Sequence, residues 1–152
     1  MNFEKKFLQR LKLQDKNWHN GDKEKDKTAK FVNDELKIAV GLIEFEEGPE
    51  GNLKRPKEDA ELANKEFKKH KDYKTILLIK CNKNTKGFCQ ALIELLQGPD
   101  YTEIGAYLIL TDNCNSYFYA ENPCAKKKRK VSKKDCEKYT KETIKNLINS
   151  QC

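Results

Sequence analysis

The sequence lacks most of the patterns that mark common functional sites. It has only two histidines, and its six cysteines form neither a CxxC pair nor a Cys/His cluster, which argues against a zinc site. It contains no GxGxxG fingerprint, no P-loop spacing and no Gly-x-Ser-x-Gly elbow. Carboxylates and lysines therefore remain as the candidates for chemistry.

Long apolar runs are also missing. No stretch approaches the ~20 apolar residues of a membrane span. Residues 1–18 carry Lys5, Lys6, Arg10 and Lys12 among their leucines, unlike a secretory signal. We therefore expect no membrane association and an intracellular, cytoplasmic protein with reduced thiols. A disulfide-bonded secreted form is the alternative.

The length and composition predict one compact domain with a polar surface. The chain has 152 residues, of which 37% are hydrophobic and 36% charged, with a formal net charge of +7. Five of the basic residues form the unbroken run 126–130, and the rest of the chain is nearly balanced. The basic character is thus local, which is typical of a patch that attracts phosphate groups or another anionic surface.

The spacing of apolar residues predicts an α/β fold. Continuous apolar strands at residues 38–45 and 74–81, separated by a helix at 56–70, indicate a right-handed βαβ unit with a parallel strand pair. We expect a mixed sheet of about four strands flanked by helices. The predicted parts are N-terminal helices in residues 1–32, including one at 23–32, an α/β core in 33–120, a basic loop in 121–131 and a C-terminal helix in 132–152.

The acidic residues around the first core strand are the candidate metal ligands. Side chains alternate along a strand, so Glu44 and Glu46 share a face, and Asp34 precedes the strand. Mg²⁺ prefers such oxygen ligands and can activate a water molecule to attack a phosphodiester. Lys80, on the neighbouring strand, is the candidate that stabilises negative charge on phosphorus. The alternative is that Glu44 and Glu46 merely end an exposed strand.

These residues resemble a known motif. Asn33-Asp34 followed by Glu44-Phe45-Glu46 reads ND…ExE, which is similar to the motif of the PD-(D/E)xK nuclease superfamily, with Glu46 in place of the lysine. The resemblance extends to Gln90 in the helix after the second core strand. It implies a restriction-endonuclease-like fold, Mg²⁺ as cofactor and phosphodiester hydrolysis. Two departures are the helix at 56–70 and a second register, at 79–82, that reads KCN where ExK is expected.

The basic run is the candidate nucleic-acid contact. Its string KKKRKV also matches the nuclear-import signal of a viral large T antigen, and such a signal would place the protein in a nucleus. A solvated loop without function is the alternative. The predicted nucleic-acid-binding residues are Lys126, Lys127, Lys128, Arg129, Lys130, Lys133 and Lys134.

Two functional hypotheses follow. The first is a metal-dependent nuclease, or an inactive nuclease-derived protein that binds nucleic acid, with Asp34, Glu44, Glu46 and Lys80 as the site. The second is a non-catalytic protein-interaction module with a basic loop, whose partner is another protein or a second copy of this chain.

Overall fold

The computed structural model describes residues 3–21, 29–44, 54–81, 86–111, 116–122 and 124–125. These form three α-helices, six strands and a short 3₁₀ turn at Pro99–Tyr101. The helices are α1 (Phe3–Gln14), α2 (Lys54–Phe67) and α3 (Lys86–Leu96). The strands are β1 (Trp18–Asn20), β2 (Ala29–Asn33), β3 (Ile38–Glu44), β4 (Lys74–Lys80), β5 (Ala106–Thr111) and β6 (Ser116–Glu121).

The six strands make one mixed sheet in which spatial order follows chain order. β1, β2 and β3 pair antiparallel, β3, β4 and β5 pair parallel, and β6 returns antiparallel to β5. The parallel pairs need long crossovers, which α2 and α3 supply. The predicted parallel pair of the two core strands is confirmed.

Two apolar clusters, one on each face, hold the sheet between helices. On one face, Ala60, Ala63 and Phe67 of α2 and Leu92 and Leu96 of α3 are all fully buried against the strands. On the other face, α1 packs with Phe7, Leu8 and Leu11 toward the sheet. β3 and β4 are therefore covered on both sides, which is why they read as continuous apolar runs.

The prediction of a second N-terminal helix at 23–32 is wrong where the structure describes it. Residues 29–33 form β2, and Phe31 and Val32 are buried on opposite faces of the sheet. Two adjacent apolar residues are compatible with either element, and the pairing of β2 with β3 decides between them. Trp18 is 3% exposed and belongs to β1.

The count of about four strands is also too low, because β1 and β2 carry too few apolar residues to be recognised alone. The helix predicted at 56–70 spans Lys54–Phe67 and so ends earlier than expected. The C-terminal helix expected at 132–152 lies outside the described residues. Within the described part of the chain, no helix is long and apolar enough to cross a membrane.

The amide side chains of Asn122 and Asn64 join the helices to the sheet near the start of β5. Asn122 Nδ2 donates to the carbonyl oxygens of Tyr101 and Ile104, each at 2.8 Å, and its Oδ1 accepts from the Cys124 backbone N–H at 3.1 Å. Asn64 of α2 likewise accepts from the Glu103 N–H at 2.9 Å. These contacts fix the turn between α3 and β5, because they pair backbone groups that are not bonded within a helix or a strand.

Candidate functional site

Glu44 and Lys80 lie side by side at the carboxyl ends of two parallel strands. They are register partners in the β3–β4 pair, and Lys80 is also paired with Leu110 of β5. Because side chains alternate along a strand, both continue the rows that face α1. Glu44 is exposed and Lys80 half-buried. We call this pair and its surroundings the carboxyl edge, the place where open α/β sheets commonly bind ligands.

A disulfide bond reinforces the carboxyl edge. Cys81, directly after Lys80, is bonded to Cys89 of α3, and both residues are buried. The Cys81 backbone N–H also donates to the Leu110 carbonyl oxygen at 2.8 Å, which extends the β4–β5 ladder by one residue. The expectation of reduced thiols is therefore wrong for this pair. Cys124 is a free thiol.

Asp34 does not join the carboxyl edge. It precedes β3, whereas Glu44 ends that strand, and the seven residues between Ile38 and Glu44 span roughly 20 Å at about 3.3 Å per residue. The structure thus brings together Glu44 and Lys80 but leaves Asp34 at the opposite end of the sheet. The other predicted site residues, Glu46, Lys126, Lys127, Lys128, Arg129, Lys130, Lys133 and Lys134, lie outside the described residues.

Asp34 belongs instead to a cluster that the sequence did not predict, the His19–Asp34–Tyr73 cluster. Asp34 Oδ2 lies 2.8 Å from His19 Nε2, and Asp34 Oδ1 accepts a hydrogen bond from the Tyr73 hydroxyl. The ammonium of Lys37 lies 4.9 Å from the centre of the Tyr73 ring. His70, the other histidine of the chain, packs edge-on against the same ring at 5.2 Å. The cluster ties the edge strand β1 to the segment that leads into β4.

The turn between β2 and β3 positions Asp34. Asn33 is fully buried, and its Oδ1 accepts hydrogen bonds from the backbone N–H groups of Glu35 and Leu36 at 3.1 and 3.0 Å. This side-chain-to-backbone pattern favours a turn over continued strand. Lys37 closes the turn with a left-handed backbone, φ 58°. Its carbonyl oxygen then accepts from the Lys74 N–H at 2.7 Å and sets the start of β4.

The hydrogen bonds shift the acidity of both oxygen acids in the cluster. The Tyr73 hydroxyl, followed by His19, stabilises the carboxylate and holds the pKa of Asp34 below its ordinary value, against a smaller opposing effect of burial. The same bond raises the pKa of Tyr73 to about 12, because ionising the phenol would remove the proton that Asp34 accepts. The proton is therefore held on Tyr73 across the physiological range.

His19 is poorly arranged to act as a base. Its Nδ1 lies 2.6 Å from the Asn20 carbonyl oxygen, while Nε2 faces Asp34. Carbonyl and carboxylate oxygens only accept hydrogen bonds, so both ring nitrogens of His19 already face acceptors within the protein. The His19–Asp34–Tyr73 cluster thus joins β1 to the β2–β3 turn and to the segment before β4.

Sequence reasoning missed His19, Tyr73 and the Cys81–Cys89 bond. His19 and Tyr73 are 15 and 39 residues from Asp34, and no local pattern connects residues so far apart. The disulfide partners are only eight residues apart, but Cys81 follows the end of β4 and Cys89 lies within α3. Their spacing indicates a disulfide bond only when the end of β4 and the start of α3 are known.

Neither the arrangement of possible metal ligands among the described residues nor the comparisons with known proteins identifies a further site. Among the described residues, no group of three or more His, Cys, Asp or Glu side chains is arranged to hold a metal ion. Comparison of the chain with family models, with curated proteins and with solved structures returned no match. The nuclease resemblance therefore stays a prediction from the sequence.

Proposed function

We propose that this chain binds nucleic acid and acts on a phosphodiester at the carboxyl edge of β3 and β4, in the manner of a metal-dependent nuclease. The observation that carries the proposal is the register pairing of Glu44 with Lys80 on one face of the sheet. A carboxylate beside an ammonium group can hold a cation on one side of a phosphate and neutralise charge on the other. The overall net charge of +7 favours a polyanionic partner.

Mg²⁺ is the cofactor that this proposal requires. In the described part of the carboxyl edge, Glu44 is the carboxylate that would bind the ion. Mg²⁺ is commonly held by one or two carboxylates together with substrate phosphates, so a single carboxylate suits an ion that binds with the substrate. When bound, Mg²⁺ supplies a water of lowered pKa for attack on phosphorus. Glu46 and the basic residues 126–134 stay in the proposal on the strength of the sequence alone.

Within the protein, Glu44 would anchor the cation and Lys80 would stabilise negative charge as it develops on the phosphoryl oxygens. Lys80 is half-buried, so its charge is less screened by water than that of an exposed lysine. The disulfide at Cys81 holds the next residue of the backbone against α3 and so limits movement of Lys80. Asp34 has no role in this scheme.

Nicking of supercoiled plasmid in Mg²⁺ or Mn²⁺ tests the proposal. Glu44→Gln and Lys80→Met should each lower the nicking rate by on the order of a hundredfold, as losses of charge stabilisation do. Asp34→Asn is the matched control, because it removes a carboxylate of the original motif at the other end of β3. It should nick at nearly the wild-type rate.

Three outcomes separate the alternatives. Equal loss in Asp34→Asn and Glu44→Gln would contradict the placement of the site at the carboxyl edge. Absence of nicking together with oligonucleotide binding that weakens steeply with salt would leave the non-catalytic, nuclease-derived binding protein. Absence of both would leave the protein-interaction module.

A further inference from the structure

The helices on the two faces of the sheet differ in charge. α1 carries four basic residues and one acidic residue. On the opposite face, α2 carries four of each sign and α3 one of each. The basic character of the described helices is thus confined to the face that α1 covers.

The packing of α1 leaves Lys6 and Lys12 exposed to solvent. Phe7 and Leu11 are 1% and 0% exposed and fix one side of the helix against the sheet. The opposite side exposes Lys6 and Lys12, with Leu13 at 87% exposure beside them. Because the buried side anchors the helix, the cations project from a rigid support.

The basic side of α1 and the carboxyl edge share one face of the molecule. Glu44 and Lys80 continue the strand rows that pack against α1, as Leu42 and Leu78 do. The neutral layer of α2 and α3 lies behind the sheet.

We infer that the solvent-facing side of α1, which carries Lys6 and Lys12, is a docking surface for the phosphate backbone of a nucleic acid. The identity of the polyanion rests on the proposed function. A lipid surface fits less well, because a helix that lies on a membrane buries an apolar face in it. The apolar face of α1 is already packed on the sheet, and Leu13 alone is left on the outer side.

Charge reversal on each face provides the test. Lys6→Glu/Lys12→Glu alters α1, and Lys57→Glu/Lys65→Glu, two exposed lysines of α2, makes the same change in net charge on the other face. Binding of a fluorescent duplex oligonucleotide is measured by anisotropy in EDTA at several salt concentrations. The α1 variant should lose affinity by on the order of tenfold or more, and its log–log salt slope should fall by about 2. The α2 variant should lose several-fold less.

Equal losses in the two variants would overturn the inference, and so would binding by the wild-type chain to phosphatidylserine vesicles but to no oligonucleotide. Circular dichroism and thermal unfolding establish that both variants are folded. Lys6→Arg/Lys12→Arg, which keeps both positive charges, should bind with the affinity of the wild type. The EDTA condition separates docking from cleavage. If binding depends on α1 but no nicking is observed, only the proposed hydrolysis is contradicted. If nicking depends on Glu44 but the α1 and α2 variants bind equally well, only the docking surface is contradicted.

Discussion

His19 and Asp34 join the outermost strand of the sheet to the turn that begins β3, with Nε2 and Oδ2 2.8 Å apart. Tyr73 approaches the same carboxylate from the opposite side, just before β4. Asp34 was expected to bind a metal ion with Glu44. It serves instead as the central acceptor of a junction at the other end of the sheet.

Removal of one donor tests this junction. Tyr73→Phe should raise the pKa of Asp34 toward its ordinary value, because the hydroxyl is the largest contributor to the stabilised carboxylate. The loss of unfolding free energy should stay below about 1 kcal/mol, since the groups are largely exposed to solvent. Carboxyl ¹³C NMR across an acid titration measures the pKa. Tyr101→Phe, which removes a hydroxyl 3.4 Å from Glu61, is the control and should leave Asp34 unchanged.

The pH dependence of that variant has a definite sign. A lowered pKa in the folded state means that the stability from Asp34 is present above the unfolded pKa of about 3.9 and lost as the pH falls through the folded pKa. The wild-type advantage over Tyr73→Phe in urea unfolding should therefore hold at neutral pH and vanish in acid. On the alkaline side, Tyr73 keeps its proton until about pH 12, so its contribution is full below pH 10 and declines above it. An advantage that does not decline as the pH falls below about 3.9 would contradict this account.

The Cys81–Cys89 bond should stabilise the folded chain measurably. Cross-linking residues eight apart lowers the entropy of the unfolded chain by an amount worth about 2.5 kcal/mol in the loop-closure model. Urea unfolding of the wild type with and without dithiothreitol measures the difference. Cys81→Ala/Cys89→Ala should lose this part of the reductant effect, while the control Cys124→Ala should respond as the wild type does. Equal wild-type stability in both conditions, or failure to find the cross-linked peptide by mass spectrometry, would contradict the prediction.

Removal of the Asn122 amide should be costly. Asn122→Ala deletes two buried hydrogen bonds and one half-buried one, and it removes the side-chain donor to the Tyr101 and Ile104 carbonyl oxygens, for an expected loss of about 3 kcal/mol in unfolding free energy. Asn17→Ala, at an exposed position, should change stability by less than about 0.5 kcal/mol. Similar losses in the two variants would show that Asn122 is not the anchor of the α3–β5 turn.

The outer strands show how far sequence patterns reached. Ile38–Glu44 and Lys74–Lys80 were recognisable because a strand covered on both faces must be apolar at nearly every position. Trp18–Asn20 and Ala29–Asn33 were not, because short strands at a sheet margin carry few apolar residues and gain their conformation from pairing. The turn signal at Asn33 was present in the sequence but was interpreted as the start of a catalytic motif.

By itself, the sequence determined the α/β class, the parallel core pair, the amphipathic α1 and the neighbouring placement of Glu44 and Lys80, since all of these follow from local periodicity. Only the tertiary structure decided that Asp34 lies with His19 and Tyr73, that Cys81 meets Cys89, and that the basic helix covers the face of the carboxyl edge. These relationships join residues from different elements. The order in which strands pair and helices pack sets them, and no local pattern of residues records that order.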